Sequence, residues 1–207
     1  MQSILPNDPL ARTLHWIVGF FAVLCGWWLM GLSVVTCIEM LGRKVFGFSL
    51  QGVDEIGSYT FAAVGAFGFS YALITRGHTR VDFLLSRFSN TQRGILNLTA
   101  MITLAAMGLF FVYRAFHVVA ESLDLGSTAA TPLATPLWIP QSIWLLAYIV
   151  FAITSLIAAG YAVALLARGA WTDLNRRYGP QTLEEEIESE STVHLDKRAS
   201  TYGEATS

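Results

Sequence analysis

Charged residues are scarce in this sequence. Of its 207 residues, 14% are Asp, Glu, Lys or Arg, against about 25% in a typical soluble domain. Hydrophobic residues make up 54% of the chain. This composition argues against an ordinary soluble protein. It raises the question of whether the apolar residues are scattered or gathered into runs long enough to cross a bilayer.

Cysteine is also rare, and the motifs of several enzyme classes are missing. Cys25 and Cys37 lie in one apolar run, too far apart to bridge within a helix and without Cys-x-x-Cys spacing. The sequence has no nucleophile elbow, phosphate loop or His-Glu-x-x-His motif. Its scattered arginines form no stripe of the kind that binds nucleic acid. We therefore expect no catalytic residue, no cofactor, no metal site and no nucleic-acid partner.

The apolar residues are gathered into four runs that contain no Asp, Glu, Lys or Arg. At 1.5 Å per residue, a helical run of about 20 residues reaches about 30 Å, the thickness of the hydrocarbon core of a membrane. The sequence therefore predicts an all-α integral membrane protein in which a domain over residues 14–167 holds four transmembrane helices. The charge-free runs are residues 14–38, 56–75, 94–113 and 141–167. The predicted spans are the same, except that the third continues past Arg114 and covers residues 94–120.

Positive charge is unevenly divided between the two sides of these spans. One side carries eight arginines: Arg12, Arg76, Arg80, Arg87, Arg93, Arg168, Arg176 and Arg177. The other side has Arg43 and Lys44, and its second connection, between Glu121 and Gln141, has no basic residue. Because short cytoplasmic loops are enriched in Lys and Arg, we expect the N-terminal segment 1–13, the connection 76–93 and the C-terminus to be cytoplasmic.

Three segments outside the spans have patterns of their own. Apolar residues at i, i+3, i+4 and i+7 predict a short interfacial helix between spans two and three; they are Val81, Leu84, Leu85 and Phe88. Three prolines predict an irregular connection before span four: Pro132, Pro136 and Pro140. Residues 168–207 contain a run rich in glutamate that follows Pro180, which predicts a largely disordered, acidic cytoplasmic tail.

Ionisable residues within or beside the spans are few. Glu39 and Arg43 form an i, i+4 pair where span one ends, and Arg114 lies toward one end of span three. We expect these charges to pair or to snorkel at the membrane surface. A self-contained ion-coupled transporter would more often show a mid-membrane carboxylate or a broken helix. A four-helix redox or haem protein needs axial ligands at one depth, and His15 and His117 fall at opposite ends. A self-contained small transporter and a four-helix redox or haem protein are therefore kept as alternative functions.

Several short motifs occur in a characteristic order along the chain. They are Gly-Arg-Lys-Val-Phe-Gly-Phe-Ser at 42–49, Asp-Glu-Ile at 54–56, Phe-Gly at 67–68, Arg-Gly-His-Thr-Arg-Val-Asp at 76–82 and Pro-Leu-Trp-Ile-Pro at 136–140. With the four-span frame, they resemble the small permease subunit of tripartite ATP-independent periplasmic (TRAP) transporters, the DctQ-like family. The resemblance covers roughly residues 14–167. It departs at Gln51-Gly52-Val53, where an aromatic residue often precedes the acidic pair.

The resemblance implies a non-catalytic subunit in the bacterial inner membrane, surrounded by lipid. Such a subunit braces a large multi-span permease, which carries the substrate and sodium sites. It also helps to dock a periplasmic substrate-binding protein, on an outer surface expected over residues 39–55 and 121–141, for sodium-driven uptake of an organic acid. Five matched positions are expected to fix the fold and the junction with the permease: Arg43, Glu55, His78, Arg80 and Asp82.

Overall fold

Five α-helices and one π-helical turn make up the fold in a computed structural model that describes residues 9–75 and 88–179. Four helices are long and apolar enough to cross a membrane. The expectation of an all-α protein with four membrane-spanning helices is therefore confirmed. The elements are α1 (Pro9–Leu41), the π-helical turn (Gly42–Phe46), α2 (Val53–Ile74), α3 (Asn90–Asp124), α4 (Trp138–Ala167) and α5 (Trp171–Tyr178).

The helices run past the apolar spans that the sequence predicts. For example, α1 begins before residue 14 and passes through Glu39 into the π-helical turn. A charged residue marks where a helix leaves the hydrocarbon core, but it does not interrupt the backbone hydrogen bonds of the helix. α3 begins early because of a capping box, in which the Ser89 hydroxyl accepts from the Gln92 N–H and the Gln92 side chain accepts from the Ser89 N–H.

The four long helices pack in the order α1, α2, α4, α3. α4 packs along both α2 and α3, whereas the main contact of α1 is with α2. Small buried side chains let the neighbours of α4 approach closely; they are Ala147, Ala152, Thr154, Ser155, Ala158, Ala159 and Ala162. Only 6% of the most apolar part of α1 is buried, against 39% of that of α4. α1 and α3 therefore form the two flanks of the membrane domain.

α1 and α2 are antiparallel in a defined register. The rings of Phe21 and Phe67 stack with centroids 4.6 Å apart, and Trp28 Nε1 donates to Thr60 Oγ1 over 3.0 Å. In this register the last residues of α1 lie beyond Val53, the first residue of α2. Residues 47–52 then return along α1 to reach α2.

The α3–α4 connection is irregular, as its prolines predict. Ala129 N–H donates to Thr135 O over 2.9 Å, and Thr128 and Pro136 form an isolated β-bridge. This connection and residues 47–52 lie at the same end of the membrane domain, which we call the connection end. The opposite end, where α1 begins, carries α5.

Part of the predicted tail is ordered. Residues 171–178 form α5 rather than the start of a disordered segment, and Leu174 and Tyr178 are buried in the core. Eight residues with two large apolar side chains four positions apart can cover a helix end even in a polar segment. The acidic run after Gly179 and the interfacial helix predicted over 76–93 lie outside the described residues, apart from the short stretch 88–93.

Candidate functional site

A buried carboxylate lies at the start of α2. Glu55 is in the first turn of the helix, where the unpaired N–H groups favour negative charge, and only 5% of it is exposed. Tyr59 Oη donates to its Oε1 over 2.9 Å, and Thr131 Oγ1 donates to its Oε2. Because Thr131 belongs to the α3–α4 connection, one carboxylate ties that connection to α2.

Gly52 lies beside this carboxylate and shapes the same contact. Its φ of 94° lies in the left-handed region, where glycine has no steric penalty. A Cβ at this position would collide with the side chain of Leu133. The α3–α4 connection therefore rests directly on the backbone that leads into α2.

A second network holds the return segment against α1. Glu39 Oε2 lies 3.5 Å from Arg43 Nη2, and the side chains of Glu39 and Arg43 are 8% and 58% exposed. The other carboxylate oxygen of Glu39 accepts from Ser49 Oγ over 3.0 Å, and the ring of Phe48 covers Gly42. The Glu39–Arg43 pair expected from the spacing is confirmed, with a buried carboxylate as its centre.

The predicted site residues fall into two groups. Arg43 and Glu55 both lie at the connection end, but in separate networks, because no hydrogen bond or ion pair between described residues joins them. His78, Arg80 and Asp82 lie outside the described residues. The role of all five in assembly stays a prediction.

A third network, at the α5 end, is absent from the sequence-based expectations. Asn97 Nδ2 donates to Asn175 Oδ1 over 3.0 Å. Asn175 Nδ2 in turn donates to the backbone oxygen and Oδ1 of Asn90 over 2.7 and 2.6 Å. Gly94 provides room for the ring of Trp171. Asn90, Gly94 and Asn97 recur at helical spacing, which is the one sequence signal for this docking face.

Side chains that ligate metals are not clustered in the described part of the chain. Within residues 9–75 and 88–179, no group of three or more His, Cys, Asp or Glu could hold a metal ion. His15 lies near the start of α1 and His117 in the last third of α3, and both side chains are exposed. The three networks instead join helices and connections to one another.

Comparison with known proteins identifies a family. A family model described as tripartite ATP-independent periplasmic transporters, DctQ component, matches residues 32–165, which is more than half of the chain. No curated protein and no solved structure matches the chain. The matched region contains both networks of the connection end and stops before α5.

Proposed function

The chain belongs to the DctQ family, the small membrane component of tripartite ATP-independent periplasmic transporters, and from this premise we propose how it acts within such a transporter. It braces the large permease subunit in the bacterial inner membrane, and its connection end faces the periplasm and helps to dock the substrate-binding protein. Sodium-driven uptake of an organic acid then takes place through the permease.

One observation carries this proposal: the connection end is fixed by buried carboxylates rather than left as free loops. Glu39 holds the return segment to α1, and Glu55 holds the α3–α4 connection to α2. A buried carboxylate that loses its donors is strongly destabilised, so both connections keep one conformation. A preformed surface loses little conformational entropy when a partner docks.

The arrangement of the spans is consistent with a bracing role. Four helices that contact one another in a row leave two long flanks, and the α1 flank is largely unburied within this chain. Arg43 and Glu55 are the described candidates for positioning the junction with the permease. His78, Arg80 and Asp82 are the further candidates from the family pattern.

Purification from the native host tests the proposal. We expect a tagged chain, gently solubilised, to recover a large multi-span permease in fixed stoichiometry. Proteoliposomes with both subunits and the binding protein should take up substrate in a sodium gradient, whereas those with this chain alone should not. Recovery of this chain alone would contradict the proposal.

Uptake by this chain alone would favour a self-contained transporter, and a haem absorbance band in the purified protein would favour a redox function.

A further inference from the structure

The last described residues lie in the interior of the α5 end. Tyr178 belongs to the same buried apolar cluster as Leu14 of α1 and Leu73 of α2. The next residue, Gly179, is buried as well, and a Cβ on it would lie 3.8 Å from Asn97 Nδ2 of α3. The residues that follow Gly179 therefore start from among the helix ends, and not from the rim that faces lipid.

Arginines surround this starting point. They lie at the helix ends that meet there: Arg12 near the start of α1, Arg93 near the start of α3, Arg168 directly after α4 and Arg177 near the end of α5. Helices that pack together have axes about 8–10 Å apart, so these arginines lie within roughly 20 Å of Gly179.

The described chain leaves most of this positive charge unpaired. Arg12, Arg168 and Arg177 form no ion pair with any residue that the structure describes. At the connection end, in contrast, the guanidinium of Arg43 is paired with Glu39. The α5 end therefore has an excess of positive charge that a further part of the chain can neutralise.

The residues after Gly179 carry the opposite charge. Residues 180–207 contain seven Asp or Glu and two Lys or Arg. Five of the acidic residues fall within residues 184–190, which we call the acidic run; they are Glu184, Glu185, Glu186, Glu188 and Glu190. A chain that extends from Gly179 to these residues reaches at most about 15–40 Å. The acidic run is therefore long enough, and close enough in sequence, to reach the arginines.

We propose that the acidic run folds back onto the α5 end and pairs with its arginines. One exposed ion pair contributes little by itself, so this contact depends on several charges acting together. It also depends on the tether, because a short linker holds the glutamates near the arginines at an effective concentration on the order of millimolar. The inference goes beyond the proposed function and does not depend on it, since both charged groups belong to this chain.

Anionic lipid is the competing partner for the same arginines. Basic residues next to a membrane span attract acidic headgroups, but headgroups approach from the rim of the domain. The acidic run is attached to Gly179 in the interior of the α5 end. This point of attachment favours the acidic run over lipid.

Cross-linking between two introduced cysteines tests the contact in the full-length chain. Cys25 and Cys37 are replaced, and cysteines are placed at Ala167, which is exposed next to Arg168, and at Ser189 within the acidic run. In nanodiscs of zwitterionic lipid, a short bismaleimide should join the two cysteines. Salt at 1 M shortens the Debye length to about 3 Å and should lower the yield roughly fivefold. A yield that does not change with salt would overturn the inference.

Glutamine variants show whether the charge of the run makes the contact. Replacement of all five glutamates of the acidic run by glutamine keeps their size and should lower the yield roughly fivefold, because the ion pairs are lost. Glu204→Gln, which lies outside the run, is the matched control and should leave the yield unchanged. Equal yields from the glutamate and glutamine chains would overturn the inference.

Nanodiscs with acidic headgroups separate the two partners. With about one third phosphatidylglycerol, we expect the cross-link to persist at more than half of its yield in zwitterionic lipid, although headgroups compete for the arginines. A fall to the level of the glutamine variant would show that lipid covers the arginines and would overturn the inference. None of these measurements involves the permease, so their failure would leave the proposed function intact.

Discussion

Glu55 shows how one side chain can fix a connection that has little regular structure. A buried carboxylate is stable when hydroxyl or N–H groups donate to it, and here the donors come from Tyr59 on its own helix and Thr131 in the α3–α4 connection. The two hydroxyls are stabilised as well, because the carboxylate is a strong acceptor for both. The position of the connection thus depends on one carboxylate at the start of α2.

Glu55→Ala should destabilise the purified chain by about 1–3 kcal/mol, because it leaves the hydroxyls that donate to the carboxylate, those of Tyr59 and Thr131 among them, without their acceptor. Glu55→Gln should cost less, since its amide oxygen still accepts one hydrogen bond. Thermal unfolding in detergent measures both variants. Asp54→Ala is the control, because Asp54 is exposed in the same turn. Equal melting temperatures for Glu55→Ala and Asp54→Ala would show that the buried network does not stabilise the fold.

Gly52→Ala should also destabilise the chain, for two separable reasons. The backbone angle φ of 94° is unfavourable for alanine, at a cost of about 1–3 kcal/mol, and the new Cβ would collide with Leu133. Adding Leu133→Ala should relieve the collision but not the backbone strain. In contrast, Gly65→Ala meets nothing within 4 Å in mid-helix and should be neutral or slightly stabilising. Similar melting curves for Gly52→Ala and Gly65→Ala would contradict this reasoning.

At the scale of single elements, α5 shows how a short helix gains its stability from docking. Eight residues are too few for a helix that is stable alone in water. Leu174 and Tyr178 are buried against the core, and Asn175 bonds to two residues of α3. α5 is therefore stable because of tertiary contacts rather than local propensity.

We expect Asn175→Ala to loosen α5 and leave the spans intact. Loss of its hydrogen bonds to Asn90 and Asn97 should speed amide hydrogen exchange in residues 171–178 by roughly tenfold, which corresponds to about 1.4 kcal/mol. Hydrogen exchange followed by mass spectrometry gives the measurement. Asp173→Ala, at an exposed position of the same helix, should leave exchange little changed. Unchanged exchange in Asn175→Ala would mean that apolar burial alone holds α5.

The number and class of the elements could be predicted from the sequence, whereas the contacts between them could not. Uncharged runs of membrane length are a property of composition, so four spans follow directly. The partners of Glu55 include Thr131, 76 residues away, and a pair at that separation leaves no periodic signal. The stagger of α3 against α2 likewise follows from contacts that leave no periodic signal, such as that between Phe69 and Phe111.

At the scale of the whole molecule, the two flanks of the membrane domain differ in charge. α1 offers an apolar flank, and α3 offers a flank on which Arg114, His117 and Glu121 are exposed. The two ends differ as well. Buried carboxylates fix the connection end, whereas an asparagine network fixes the α5 end. A subunit built this way keeps its connections rigid.

The orientation of the molecule in the membrane is predicted from its basic residues, and cysteine labelling tests it. We expect a cysteine at Ala130, exposed in the α3–α4 connection, to react with an impermeant maleimide on intact spheroplasts. A cysteine at Asp173, exposed on α5, should react only after lysis. Cys25 and Cys37 are replaced first, because both are free thiols. We expect the α5 end to be cytoplasmic because short loops rich in Lys and Arg stay cytoplasmic, and Arg93 and Arg168 lie at that end. The reverse labelling pattern would place the carboxylate-fixed connections in the cytoplasm. They could not then contact a periplasmic binding protein, and the docking part of the proposed function would fail, whereas the bracing role would not be affected.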